Sequence, residues 1–371
     1  MKALILKASV LAVSVVSLMF SADTSSSIAN PSSWSPQAAA SYMDGRLSWW
    51  ADWPSAARDH STFCVSCHTV APYVVSRGSL RGALGEQQPT AIERRLIDNV
   101  AKRVHIWNEA EPYYPDKPQD PKGFESRGTE SVLNALVLAC YDAARGALSP
   151  DTRLALDNMW AQQIKTGDAT GAFPWLQFHN QPWEGNSQFY GAALAAVAVG
   201  MTPASYKDSP EIQPQLQALR GYLLKNQAVQ TPMDRMILVW ASTRLRKLLS
   251  SDDVQEKSTI ESVLATQHAD GGFSLTDLVP GWKRRDNTAL ETKSDGYATG
   301  VVAFVMEEAG WRADQPQLKR ALGWLAANQE KSDGRWLAYS MNLKRDLESD
   351  RGRFMSDAAT AYAVLALERA R

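Results

Sequence analysis

Two cysteines and a histidine open the chemical reading of this chain. Cys64 and Cys67 are separated by two residues, and His68 follows directly, within "STFCVSCHTVAPYV". Two thiols at this spacing can close a disulfide. In a βαβ setting they can instead form a thioredoxin-like redox pair, but no such setting is visible. The chain has three cysteines in all. The third, Cys140, lies in the apolar stretch "VLNALVLACYDAA" and reads as a small buried hydrophobe.

The compartment bears on the choice. Lys2 and Lys7 precede an apolar run from Ala8 to Phe20, the pattern of an export signal. The run is too short for a bilayer span, which needs about 20 apolar residues. Residues 1–29 are therefore read as a signal peptide cleaved between 22 and 29. Residues 30–371 form the exported chain, in the periplasm or otherwise outside the cytoplasm, with no stable membrane span after processing. In that compartment C-x-x-C-H points to covalent attachment of c-type haem, one per chain. The two thiols take thioether bonds to the haem vinyl groups, and His68 binds the iron. Among the alternatives, a Cys64–Cys67 disulfide stays open at this point. The near balance of 39 basic and 40 acidic residues gives no charge excess for nucleic acid.

Helical periodicity covers most of the rest. Apolar segments begin near positions 67, 129, 186, 234, 295 and 356, most about sixty residues apart, and helices that are apolar all round are buried. Amphipathic segments alternate with them: Pro36–Trp50, Thr90–Trp107, Asp151–Lys165, Gln213–Asn226, Glu256–His268 and Gln317–Asn328. No strand alternation or hairpin signal accompanies them. The period marks a repeat architecture. The expected fold is all-α, an (α/α)6 toroid of six helical hairpins in one domain, with inner helices ringed by outer ones.

The segment "ALGWLAANQEKSDGRW" resembles the QW repeat of the squalene–hopene cyclase and protein prenyltransferase superfamily, through Trp324, Gln329, Gly334 and Trp336. Gln267, Gly271 and Phe273 form a second copy, and "MWAQQIKTGDATGAF" and "YLLKNQ" are partial ones. The resemblance implies an α/α toroid around a central cavity. The acidic proton-donor motif of the cyclases is reduced here to "KSDGYATG" and "MSDAATAY", each with one aspartate. The zinc ligands of the prenyltransferases are not recognisable.

In a toroid the C-x-x-C-H motif falls at the start of the first inner helix, at the mouth of the cavity. The same register places other candidates on that rim. Arg127 and Arg235 suit the haem propionates, because guanidinium pairs bidentately with carboxylate. Glu130, Glu184 and Asp295 are candidates for general acid–base work. Thr129, Asp234, Ser294 or Asp295, and Ser356 or Asp357 also read as helix N-caps. Met355, His179 and His60 are candidate sixth iron ligands, and an open sixth position is the alternative. Three functions follow. One is a haem redox protein acting on a small, apolar substrate in the cavity, with electrons exchanged with a partner protein. Another is a plain electron-transfer cytochrome with the toroid as scaffold. The last is a terpenoid-cyclase-like, hydrolase or lyase enzyme using the acidic rim.

Overall fold

The protein is described as a computed structural model covering residues 34–185 and 188–371. The signal-peptide reading lies outside the described residues. Among those residues no helix is long and apolar enough to cross a membrane.

The chain folds into α1 (Pro36–Asp52), α2 (Val70–Leu84), α3 (Ala91–His105), α4 (Gly123–Ala143), α5 (Pro150–Ala161), α6 (Phe189–Gly200), α7 (Ala204–Lys207), α8 (Gln213–Asn226), α9 (Pro232–Arg244), α10 (Glu256–Leu264), α11 (Leu275–Leu278), α12 (Gly296–Glu308), α13 (Pro316–Ala327) and α14 (Phe354–Arg369). Local chemistry sets several starts. Ser35, Ser149 and Thr231 each cap a helix through the side-chain oxygen, with proline in the first turn. Thr90 and Glu93 form a reciprocal capping box on α3.

Six helices form a closed inner ring. α2 packs on α4, α4 on α6, α6 on α9, α9 on α12, α12 on α14, and α14 returns to α2. Outside them, α1, α3, α5, α8, α10 and α13 each pack on an inner helix. The expected six inner and six outer helices are thus present, and the fold is a mostly helical α/α toroid. The apolar inner segments are buried as their composition requires. Every residue of α6 from Phe189 to Gly200 is buried.

The glutamines of the repeat motif tie neighbouring hairpins together. Gln163 Nε2 donates to the carbonyl of Gly171, 3.0 Å, and to that of Gln215 at the start of α8, 2.9 Å. Gln267 does the same to Gly271 and Gln317, both at 2.8 Å. Gln329 reaches Gly334, 2.9 Å, and Ser35, 3.0 Å, and so closes the ring onto α1. Gly334 has φ +84° and sits against α1, where an added Cβ would lie 2.5 Å from the Ala38 carbonyl carbon. Gly334→Ala is therefore expected to cost at least about 1–3 kcal/mol from the backbone conformation alone, read as a lower urea midpoint.

Two local expectations differ. A two-residue antiparallel ribbon, β1 (Ala57–Arg58) with β2 (Thr62–Phe63), precedes the cysteine motif. It is too short to leave an alternating pattern in the sequence. Also, α4 begins at Gly123, six residues before the expected 129. Thr129, Arg127 and Glu130 consequently lie inside the helix, not at its tip. Asp234 is likewise not a cap, since Thr231 holds that position on α9.

Candidate functional site

The motif loop is built from three sides. His60 and Ser61, at φ 51° and 55°, turn the β1–β2 ribbon. Asn99 on α3 then brackets Phe63, accepting from its N–H at 2.8 Å and donating to its carbonyl at 3.0 Å. Trp50 of α1 donates its indole N–H to the Cys64 carbonyl, 2.8 Å. Ser66 Oγ accepts the N–H groups of Thr69 and Val70 and so starts α2. Cys64 and Cys67 are each 4% exposed, and neither is in a disulfide.

Both cysteines and His68 line one cavity of about 340 Å³ at the end of the ring where these inner helices begin. That volume falls in the range of small organic ligand sites. Trp50, Tyr113, Tyr114, Phe178, Trp183 and Phe354 supply aromatic walls. Arg285, Arg345 and Arg351, with Ser340 and Asn342, supply a cationic and polar side. Glu184 is the single carboxylate among the described lining residues.

His68 stacks on Phe354 at 3.9 Å and meets Trp50 edge-on at 5.0 Å. Burial, with Arg46 and Arg345 nearby, pushes its imidazole down to about 3. It is neutral across the physiological range. Its Nδ1 lies 2.8 Å from Thr69 Oγ1, and Thr69 Oγ1 donates to Asp357 Oδ2 at 2.7 Å. Asp357 also takes Arg46 Nε and the Tyr42 hydroxyl, each at 2.8 Å. Burial raises the Asp357 carboxyl, while these three partners pull it the other way. No hydrogen bond reaches His68 Nε2 from the described residues.

Burial pushes the Cys64 thiol up to about 11 and Cys67 well above its ordinary value. Neither is an activated thiolate of the kind a Cys–His hydrolase uses.

The other sequence candidates divide. Glu184 and Met355 line the cavity. Glu184 is held there by a tight loop, in which Asn180 and Glu184 exchange backbone hydrogen bonds of 2.9 and 2.8 Å. Loss of water raises its carboxyl to about 7, against a hydrogen bond from Asn180. The folded state then binds this proton more readily than the unfolded chain, whose carboxyl titrates near 4.5. Its contribution to stability is fully present below about 4.5 and is lost as pH rises through 7. Glu184→Gln is expected to flatten that slope, gaining stability relative to wild type at pH 8 over pH 5 in urea titrations.

Glu130 does not line the cavity. It is fully buried and paired with Arg103, Oε1 to Nε 2.7 Å, because α4 starts early and turns it inward. Asp295 is the N-cap of α12, accepting from Ala298 N at 2.9 Å and Leu275 N at 2.7 Å. Arg127 stacks over Trp107 at 4.7 Å, and Arg235 donates to Thr259 on α10 at 2.8 Å. Neither arginine reaches the cavity. The arginines that do line it are Arg285, Arg345 and Arg351, which sit in long irregular segments with no periodicity to expose them. His179 Nε2 donates to the Lys283 carbonyl, 3.0 Å, and the ring stacks on Trp282 at 4.1 Å. Since a carbonyl only accepts, Nε2 is the donor there and offers no lone pair. His60 is exposed in the ribbon turn beside Asp59. Neither histidine lines the cavity.

No protein-family model and no curated protein sequence matches this chain. Among solved structures, it is similar to a variant of UGL, an α/α-toroid glycoside hydrolase, determined with the oligosaccharide dGlcA-Glc-Rha-Glc. The TM-score is 0.55 at 12% identity, over 89% of this chain and 95% of that one. At that identity the likeness establishes the α/α-toroid class alone.

Proposed function

We propose that this protein is an exported c-type haem protein with a redox role, its haem held in the cavity at the start of α2. One observation carries the reading: both motif thiols, unpaired, and the neutral imidazole of His68 open onto a single aromatic-walled cavity. The donor set fits the group. Cys64 and Cys67 would supply the thioethers, and His68 Nε2 the axial ligand. Arg285, Arg345 and Arg351 would take the propionates. Among the described residues no cluster of three or more metal-binding side chains occurs, and a haem iron asks the protein for only one or two ligands. When bound, the haem supplies one-electron chemistry. The chain's own residues wall one side of the cavity with aromatic rings, orient His68, and hold a proton on Glu184 below about pH 7.

Of the three candidate sixth ligands, only Met355 shares the cavity with His68. A methionine ligand belongs to an electron carrier that docks a partner protein, while an open position belongs to chemistry on a small substrate. Carbon monoxide added to the reduced, matured protein separates the two. A low-spin spectrum that carbon monoxide moves only in Met355→Ala indicates the carrier. A wild-type spectrum that shifts indicates catalysis in the cavity.

A second reading is a hydrolase or lyase using Glu184. The toroid shared with UGL and the raised Glu184 carboxyl favour it. Glycoside hydrolysis by the usual route needs two carboxyl groups, and the described cavity lining has one. This reading predicts that a folded Cys64→Ser/Cys67→Ser chain still cleaves an oligosaccharide such as dGlcA-Glc-Rha-Glc, and that Glu184→Gln does not.

A further inference from the structure

We propose that Thr69 and Asp357 are positioning residues for His68: together they commit the imidazole proton to Nδ1 and leave Nε2 a bare lone pair. The purpose of this relay rests on the haem reading above, but its geometry does not.

The direction of each hydrogen bond is forced. Asp357 is 5% exposed. Its Oδ1 accepts from the Tyr42 hydroxyl and Arg46 Nε, both at 2.8 Å. Its Oδ2 accepts from a second Arg46 nitrogen at 3.1 Å and from Thr69 Oγ1 at 2.7 Å. The Arg46 fork, which can only donate, and the Tyr42 hydroxyl occupy both Asp357 oxygens as acceptors, and Thr69 Oγ1 donates to Oδ2 beside them. With both oxygens accepting, the single Thr69 hydroxyl proton points at Asp357. Toward His68, Thr69 Oγ1 is then an acceptor, 2.8 Å from Nδ1. Nδ1 must carry the hydrogen. A neutral imidazole has only one, so Nε2 has none.

This is what an iron ligand needs. An imidazole whose second nitrogen donates to an oxygen is fixed in orientation and tautomer, and is a more basic ligand. Here the fixing groups come from opposite ends of the sequence. Thr69 follows the ligand, and Asp357 arrives on α14, the helix that closes the ring against α2.

Two measurements test the relay. The first uses the full chain expressed without haem-ligation machinery, its thiols kept reduced, labelled with 15N-histidine. Wild-type His68 is expected to show a protonated Nδ1 and an unprotonated Nε2. Thr69→Val keeps the shape, removes the acceptor, and should populate the Nε2–H tautomer, with Thr69→Ser restoring the wild-type pattern. Should Thr69→Val not fold, Asp357→Asn serves. Its amide can donate to Thr69, which frees the hydroxyl proton for Nδ1 and moves the imidazole proton to Nε2. A wild-type proton on Nε2, or variant spectra identical to wild type, overturns the proposal. The second measurement is the reduction potential of the haem-loaded protein. Thr69→Val should weaken the preference for ferric iron about tenfold, an upward shift of ~59 mV for one electron, reversed in Thr69→Ser. An unchanged potential overturns the tuning role. A chain that attaches no haem fails the haem reading, while the nitrogen spectra still decide the relay.

Discussion

Cys64→Ser/Cys67→Ser, matured alongside haem-ligation machinery, is expected to retain no haem after denaturation and extraction. The wild-type chain should keep one per molecule. The effect is all or nothing because the thioether bonds are the only covalent link the motif provides. Serine occupies nearly the volume of cysteine. The loop shape depends on Asn99, Trp50 and Ser66 rather than on the thiols. The variant should therefore keep its helical circular dichroism, which separates loss of attachment from loss of fold. Each single serine variant should keep one thioether and show a spectrum altered by the vinyl group left intact. The readout is haem retained on a denaturing gel, checked by the mass of the intact chain. Haem retained covalently by the double variant would contradict the assignment of these two thiols.

Asp357→Ala is expected to be the most destabilising single change in the site, by about 3–5 kcal/mol. Against a total stability of ~5–15 kcal/mol that is a large share. The cause is the charge left behind. Arg46 is 5% exposed and would lose its bidentate partner, keeping the Asp350 carboxylate at 3.1 Å, the Asp350 carbonyl at 2.8 Å and its stacking over Trp49 at 4.3 Å. Thr69 and Tyr42 would lose their acceptor in the same step. Tyr42→Phe removes one donor and leaves the ion pair intact, so it should cost only about 1 kcal/mol. Urea titration of both variants gives the comparison. Equal costs would mean that the ion pair adds nothing beyond an ordinary hydrogen bond.

The architecture was legible in the sequence for a physical reason. Inner helices that touch protein on all sides carry no polar face, and outer helices that touch it on one side do. Gln213–Asn226 was bounded to the residue, and the ring closure followed from the count of six. The repeat glutamines were recognisable because each makes the same two backbone bonds. The rim was harder. Register counted from the apolar start misplaced α4, whose first turn is polar, and so put Arg127 and Glu130 at a mouth they do not reach. The arginines that do reach it lie in irregular segments, where nothing in the pattern says which side chains converge. The partner of Thr69 is 288 positions away. Only the closing of α14 onto α2 brings it near, and no local rule could pair them. Met355 lies at the start of that closing helix and lines the cavity, whereas His60, near the motif in sequence, and His179, in a turn on the rim, do not.

The most direct measurement of the central claim is the absorption spectrum of the wild-type chain matured with haem-ligation machinery, denatured in alkaline pyridine and reduced with dithionite. The account predicts the haemochrome of a haem with both vinyl groups saturated by thioether bonds, one per chain, that does not extract into acidic acetone. A chain free of haem, or one whose haem extracts and shows intact vinyl groups, would contradict it and return Cys64, Cys67 and His68 to another purpose.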